Sequence, residues 1–184
     1  MVSKAAWRQN LLQQRQNLHP ETWRTWSDRL CAHLVMTPLV QQAQIILAYW
    51  PLRQEPDLTP LLTDYPKCWG LPRCVGKRLV WHEWQPGDRL HKGKYGLQEP
   101  NPDAPVLAAN AVDLLLIPAV GCDRVGYRLG YGGGYYDRLF ADPAWRAIPA
   151  IGITFEFAHM EALPHDPWDQ PLNGICTEAG FFAV

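Results

Sequence analysis

Residues 121–138 read GCDRVGYRLGYGGGYYDR and follow a short apolar run, VDLLLIP, over 112–118. The run has the length and composition of a buried strand, and hydrophobic sequence resumes at Leu139 and Phe140. The segment therefore predicts a strand, a glycine loop and a helix in succession. Gly130, Gly132, Gly133 and Gly134 crowd into the loop. Glycine permits positive φ and close approach of a ligand to the backbone, at an entropic cost. A loop that merely turned would not need so many. Arg124, Arg128 and Arg138 sit along it, and it ends on Tyr135, Tyr136 and Asp137. Backbone N–H groups ahead of a helix bind anions, arginine adds bidentate phosphate recognition, and a carboxylate beside phosphates can hold Mg²⁺. Neither GxxxxGK[ST] nor a complete GxGxxG is present, since Tyr135 stands where the last glycine would fall. A flexible surface hairpin is the alternative explanation.

The chain has 184 residues, enough for one domain with a substantial core and too few for two large ones. Its formal charge of −1 carries no long basic or acidic run, which disfavours nucleic acid and acidic membranes as partners. No apolar run approaches the ~20 residues that span a bilayer, and the polar, amphipathic start does not resemble a signal peptide. A soluble, cytoplasmic protein is expected. Cys31, Cys68, Cys74, Cys122 and Cys176 are odd in number and scattered without CxxC, so reduced, mostly buried thiols are expected rather than disulfides or a zinc site. The nine tryptophans fit large packed surfaces or stacking platforms for a flat ligand.

In chain order, Ser3 can cap a helix to about residue 18, with Trp7, Leu11 and Leu18 on one side. Lys4 and Arg8 share a face one turn apart and Arg15 continues it. Like charges at that spacing repel mildly, so an anion between them makes the placement sensible; a solvated basic face is the plain alternative. Pro20 opens a second helix to about Met36, giving an N-terminal helical pair over about 3–37. The apolar run 45–50 reads as a strand stopped by Pro51. Ligands in open α/β sheets bind beyond the carboxyl ends of strands, which makes Trp50 and Glu55 candidates for ligand contact. Asp57 can start a helix over 58–63. Residues 69–73, 79–84, 150–154 and 174–177 predict further strands. Residues 86–105 form the longest irregular stretch, a candidate for closing over a ligand. His165 and Asp166 read as a turn. Strands alternating with helices imply a single three-layer α/β/α domain with a largely parallel sheet, in which the glycine loop and the loop after Trp50 meet at one edge.

Taken together, Lys4-x-x-x-Arg8, the 50–57 segment, LPR at 71–73, GLQEP at 96–100, GYRLGYGGGYYDR at 126–138 and the end from Asp166 through ICTE at 175–178 resemble the 5-formyltetrahydrofolate cyclo-ligase family over essentially the whole chain. The glycine loop is the specific part. The resemblance implies an ATP- and Mg²⁺-dependent conversion of 5-formyltetrahydrofolate to 5,10-methenyltetrahydrofolate through a phosphorylated formyl intermediate. It implies small-molecule partners only, in a monomer or weak oligomer. Position by position, it assigns Lys4, Arg8, Arg128, Leu129, Gly130, Gly132, Gly133, Gly134, Tyr135 and Tyr136 to ATP, with Arg128 and Tyr136 also catalytic. Trp50, Glu55, Tyr131 and Tyr135 fall to the folate and Asp137 to the metal. Gly133 stands where relatives often carry lysine, and Asn173 where a second metal-associated aspartate can occur. Two other readings remain: a non-catalytic folate or nucleotide module of the same fold, and a sugar-phosphate isomerase-like enzyme, which would need a positioned base and no ATP.

Overall fold

The structure is a computed structural model that describes residues 3–184. Helix α1 (Lys4–Gln16) starts at Ser3, whose hydroxyl accepts from the Ala6 N–H, and α2 (Pro20–Met36) opens on proline as expected. After α3 (Pro38–Gln42) come β1 (Ile45–Leu47), α4 (Thr59–Asp64), β2 (Cys68–Val75) and β3 (Arg78–Trp84). The 86–105 stretch contains a small hairpin, β4 (His91–Lys92) and β5 (Gln98–Glu99). Then follow β6 (Leu114–Pro118), β7 (Gly121–Asp123), β8 (Arg128–Leu129), α5 (Tyr135–Phe140) and α6 (Pro143–Arg146). The chain ends through β9 (Ala150–Ile153), β10 (His159–Met160), β11 (Gly174–Thr177) and β12 (Gly180–Ala183).

The main sheet has the order β12-β11-β9-β6-β1-β2-β3, parallel from β11 to β2 with an antiparallel strand at each edge. Its strands are apolar on both sides, as a parallel sheet between helices requires. Along β6, Leu114 and Leu116 face a cluster holding Leu30 and Leu34 of α2 and Leu61 and Leu62 of α4, while Leu115 and Ile117 face Leu139 and Phe140 of α5. Ile46 and Leu47 split between the same two clusters. This period of two gives the three layers directly.

Sequence and structure part in several places. The strand over 45–50 is shorter: Ala48 N–H still bonds the Gly70 carbonyl at 2.9 Å, after which Pro51 offers no donor and the chain turns away. Because β1 stops there, Pro72 in β2 meets no strand on that side, which is where a sheet tolerates proline. The glycine loop does not follow β6 directly. The β7–β8 hairpin intervenes, with Asp123 at its turn accepting from Val125 and Tyr127 N–H, and from Leu163 N–H across the fold. Two- and three-residue strands are too short for a periodicity to register. The two N-terminal helices also dock in different places. The α2 helix belongs to the main core, whereas Leu11 of α1 packs with Val120, Leu129, Ala158 and Leu163. No helix among the described residues is long and apolar enough to cross a membrane.

Leu11 is the one buried apolar residue of α1, 1% exposed. Leu11→Ala should therefore cost about 2–5 kcal/mol in urea unfolding. A loss below about 1 kcal/mol would mean that α1 is not docked in solution as it is here.

Candidate active site

Strand β1 connects onward to β2 on one side of it, and β6 to β9 on the other. The crevice beyond their carboxyl ends is thus a topological switch point, where doubly wound sheets bind ligands. A cavity of about 560 Å³ opens there, within the usual small-molecule range of roughly 300–1,000 Å³. Its walls come from α1, the 49–55 loop, the ends of β2 and β6, residues 95 and 97, and the glycine loop.

One end is built to receive anions. The backbone N–H groups from Tyr131 to Asp137 have no protein acceptor among the described residues, and all of these residues line the cavity. Gly132 and Gly134 hold φ of +92° and +67°, which makes the loop a concave run of donors. Arg8 reaches it from α1, donating through Nε to the Gly130 carbonyl at 2.7 Å. Its guanidinium faces no carboxylate among the described residues, so its charge is available to a ligand. Arg128 is different. Its guanidinium pairs with Asp137 and lies over the rings of Tyr136 and Phe140, at 5.9 and 5.3 Å. Lys4 is also committed, with Nζ 2.6 Å from both Asp166 and Asp169. Burial pulls its pKa down, but the two carboxylates outweigh this and raise it. Burial opposes ionisation of Asp169, and the Lys4 and Asp166 N–H bonds more than offset that, holding it below the usual carboxylate range.

The other end is acidic and aromatic. Glu55 is 3% exposed yet lines the cavity. Its Oε2 accepts from the Leu52 N–H at 2.9 Å and its Oε1 from the Tyr131 hydroxyl at 2.8 Å. Burial raises its pKa, opposed by Arg15 and by these two donors. Trp50 presents a half-buried ring braced edge-on by Trp84 at 5.7 Å. Tyr49, through its hydroxyl, ties the start of this loop to the Pro56 carbonyl at 2.7 Å. From α2, Trp23 Nε1 donates to the Glu55 carbonyl and Ser27 accepts from the Asp57 N–H.

Every residue expected from the sequence to touch ATP, folate or metal lines this one cavity. Three other expectations change. Asn173 lies at the opposite edge of the sheet, where its side chain accepts from Ala150 N–H and its own N–H bonds the Ala150 carbonyl, pinning the starts of β9 and β11. The second aspartate on the cavity is Asp169. Arg138 braces the loop from outside, donating to the Gly133 and Lys77 carbonyls and lying over Tyr135. Arg124 pairs with Glu161 on the surface. A side chain at position 133 would set its Cβ 3.1 Å from the Tyr135 ring, so glycine here also gives that ring room. Asp166 and Asp169 were not legible as site residues. The DPWD spacing at 166–169 was the available signal, and only the fold brings it to Lys4. Tyr95 and Leu97 put the 86–105 segment on the cavity wall, Tyr95 at φ +61°.

Comparison with known proteins agrees with this architecture. Residues 1–178 match the 5-formyltetrahydrofolate cyclo-ligase family. The 5-formyltetrahydrofolate cyclo-ligase of Escherichia coli is 26% identical over 175 residues, 90% of this chain and 94% of that one. That of Haemophilus influenzae is 33% identical over 98 residues, about half of each chain. The structure of an Aquifex aeolicus 5,10-methenyltetrahydrofolate synthetase superposes with a TM-score of 0.86 at 30% identity, over 99% of this chain and 93% of that one. A chain matched almost end to end in sequence and in fold, with the glycine loop and its facing arginine in place, belongs to the 5-formyltetrahydrofolate cyclo-ligase family of enzymes.

Proposed function

We propose that the protein converts 5-formyltetrahydrofolate and ATP to 5,10-methenyltetrahydrofolate, ADP and phosphate. The observation that carries ATP is the run of N–H groups from Tyr131 to Asp137 that meet no protein acceptor among the described residues, with the Arg8 guanidinium beside Gly130 and Gly132. A donor array of this kind suits a triphosphate better than any uncharged ligand. The acidic, aromatic end suits a flat pterin, its face on Trp50 and its polar edge toward Glu55.

In this reading the formyl oxygen attacks the γ-phosphorus and ADP departs. N10 of the folate then adds to the activated formyl carbon and gives up its proton to the departing phosphate, which carries away the former formyl oxygen as the ring closes. The substrate brings both nucleophiles, so the protein has to align them and to stabilise charge. Arg8 and the loop N–H groups hold the phosphates in line. Arg128, held over the Tyr136 and Phe140 rings, keeps a cation near the transferring group, and the Tyr136 hydroxyl, its pKa raised by burial, stays a neutral donor. Trp50 and Glu55 fix the pterin so that its formyl group points along the cavity. No protein base is required, which removes the main demand of an isomerase.

The residues also fit Mg²⁺, which takes one or two carboxylates together with phosphate oxygens. Asp137 spends only Oδ1 on Arg128, and Asp169 spends only Oδ2 on Lys4 and the Asp166 N–H. Each keeps an oxygen for a metal on the phosphates, whose charge it would neutralise.

Purified protein mixed with 5-formyltetrahydrofolate and Mg²⁺ should gain the near-ultraviolet absorbance of the methenyl product only when ATP is added. Binding of both ligands without that gain would favour a non-catalytic module. Arg8→Ala removes a cation that no carboxylate among the described residues neutralises, and should raise KM for ATP by about tenfold or more, since hydrogen bonds to charged groups contribute about 1.5–3 kcal/mol. KM for the folate should stay near its original value; an unaltered KM for ATP would contradict the assignment. Asn173→Asp keeps the acceptor for Ala150 and lies away from the cavity. Its Mg²⁺ titration of activity should overlay that of the unmodified protein, and a changed metal affinity would refute the placement of the metal.

A further inference from the structure

Arg15 is 4% exposed, sits on α1 behind the cavity wall and does not line the cavity. Burying a guanidinium is costly unless its donors are used, and here they converge on one object. Nε donates to the Arg53 carbonyl at 3.2 Å, and Nη2 donates to the Tyr131 hydroxyl, which donates in turn to Glu55 Oε1. Arg53 and Gln54 are both left-handed, at φ +49° and +57°, a conformation that costs non-glycine residues and is kept only where surroundings enforce it. The Gln54 amide, with its nitrogen turned toward α1, donates to the Arg15 and Gln16 carbonyls at 2.7 and 3.0 Å. The strained turn and the last turn of α1 therefore hold each other, with Arg15 at the centre.

We propose that Arg15 is the positioning residue that, through Tyr131 and the Arg53 turn, fixes the orientation of Glu55 and so the site's selectivity for a flat ring presenting adjacent N–H donors. The lone pairs supply the argument. A carboxylate offers about four acceptor sites, and Leu52 N–H and Tyr131 occupy one on each oxygen. One site on each oxygen remains, which is the pattern that accepts a pair of parallel N–H bonds from an amidine-like edge. Were Tyr131 free to rotate, its hydroxyl could compete for the position the ligand needs. Arg15 prevents this by donating to the phenol oxygen, which leaves the phenol proton for Glu55. The groups facing Glu55 are Arg15 from α1, Leu52 N–H and Arg53 from its own loop, Tyr49 from the end of β1, and Tyr131 and Tyr136 from the glycine loop and α5. Arg15 is the largest of those opposing the effect of burial, so its removal drives the Glu55 pKa further up. The carboxylate then loses its charge at a higher pH.

The inference rests on the folate reading for the identity of the ring, and the test separates the two. Arg15→Met and Arg15→Lys would be compared with the unmodified protein for kcat and for KM of each substrate, from about pH 5 to about pH 8.5. Arg15→Met should raise KM for the folate about tenfold with KM for ATP unchanged, and move the acid limb of kcat/KM for the folate to higher pH by about one unit. Arg15→Lys should return the acid limb toward its original position while recovering only part of KM, because an ammonium lacks the planar fork that serves Arg53 and Tyr131 together. An acid limb that does not move, or equal effects on both substrates, would overturn the proposal. If Arg15→Met does not fold, Tyr131→Phe breaks the same relay at the cavity wall and is read by the same two criteria. Absence of ATP-dependent turnover in the unmodified protein would sink the folate reading and this inference with it.

Discussion

The site depends on how α1 is held. Its sequence is mostly polar, and Leu11 is its one buried apolar side chain. A helix with so little to bury cannot be fixed by hydrophobic packing alone. Beside the partly buried Trp7 and Leu12 and the Gln54 amide on its last turn, its attachments are charged groups reaching other elements: Lys4 to Asp166 and Asp169, Arg8 to the Gly130 carbonyl, and Arg15 to the Arg53 carbonyl and Tyr131. Each partner lies on a loop with no strand or long helix of its own. The same bonds that dock the helix therefore order the glycine loop, the 50–57 loop and the 164–170 turn, and together these make most of the cavity.

The 50–57 loop is the counterpart on the sheet side. It begins where β1 runs out of backbone partners at Ala48 and is gripped from α2 by Trp23, Arg24 and Ser27. Asp57 is 6% exposed and is satisfied by Arg24 and by both the N–H and the hydroxyl of Thr59. With its lower end anchored in this way, the loop can carry a second buried carboxylate, Glu55, which faces the cavity. Two unpaired buried carboxylates this close in the chain would be prohibitive. Dividing their support between the helices, Arg24 bonded to Asp57 and Arg15 reaching Glu55 through Tyr131, makes both tolerable.

How far the sequence could be read follows from the length scale of each signal. The unbroken apolar run of β6 and the helical spacing in α2 extend over enough residues to register, and both elements lie where the sequence puts them. The glycine loop was legible because Gly132 and Gly134 serve a local need, positive φ, and because Arg8 and Arg128 are chemistry that a plain turn does not use. What could not be read was pairing over long separations. Nothing near Lys4 indicates that Asp166 and Asp169 will neutralise it, and nothing near Asn173 indicates that it closes the far edge of the sheet. Arg15 looked like one more charge on a basic face because burial of a polar side chain is decided by what folds over it. Arg53 and Gln54 carry no glycine to announce their left-handed turn.

The two ends of the cavity have opposite electrostatics, and α1 spans both. Lys4 and Arg8 stand at the glycine-loop end and Arg15 behind the Glu55 end. At 1.5 Å per residue they are spread over roughly 16 Å of one rigid rod. The proposed phosphoryl transfer between two bound molecules needs their reacting atoms brought within about 3–3.5 Å and held in line. Two separately mobile loops would have to find that distance by chance. A single helix that meets the glycine loop through Arg8, and reaches Glu55 from Arg15 by way of the Tyr131 hydroxyl, sets the spacing of the two ends by its own geometry. The polar attachment of α1 is then more than a substitute for packing, because the groups that dock the helix are the same ones that fix the separation of the two ends of the cavity.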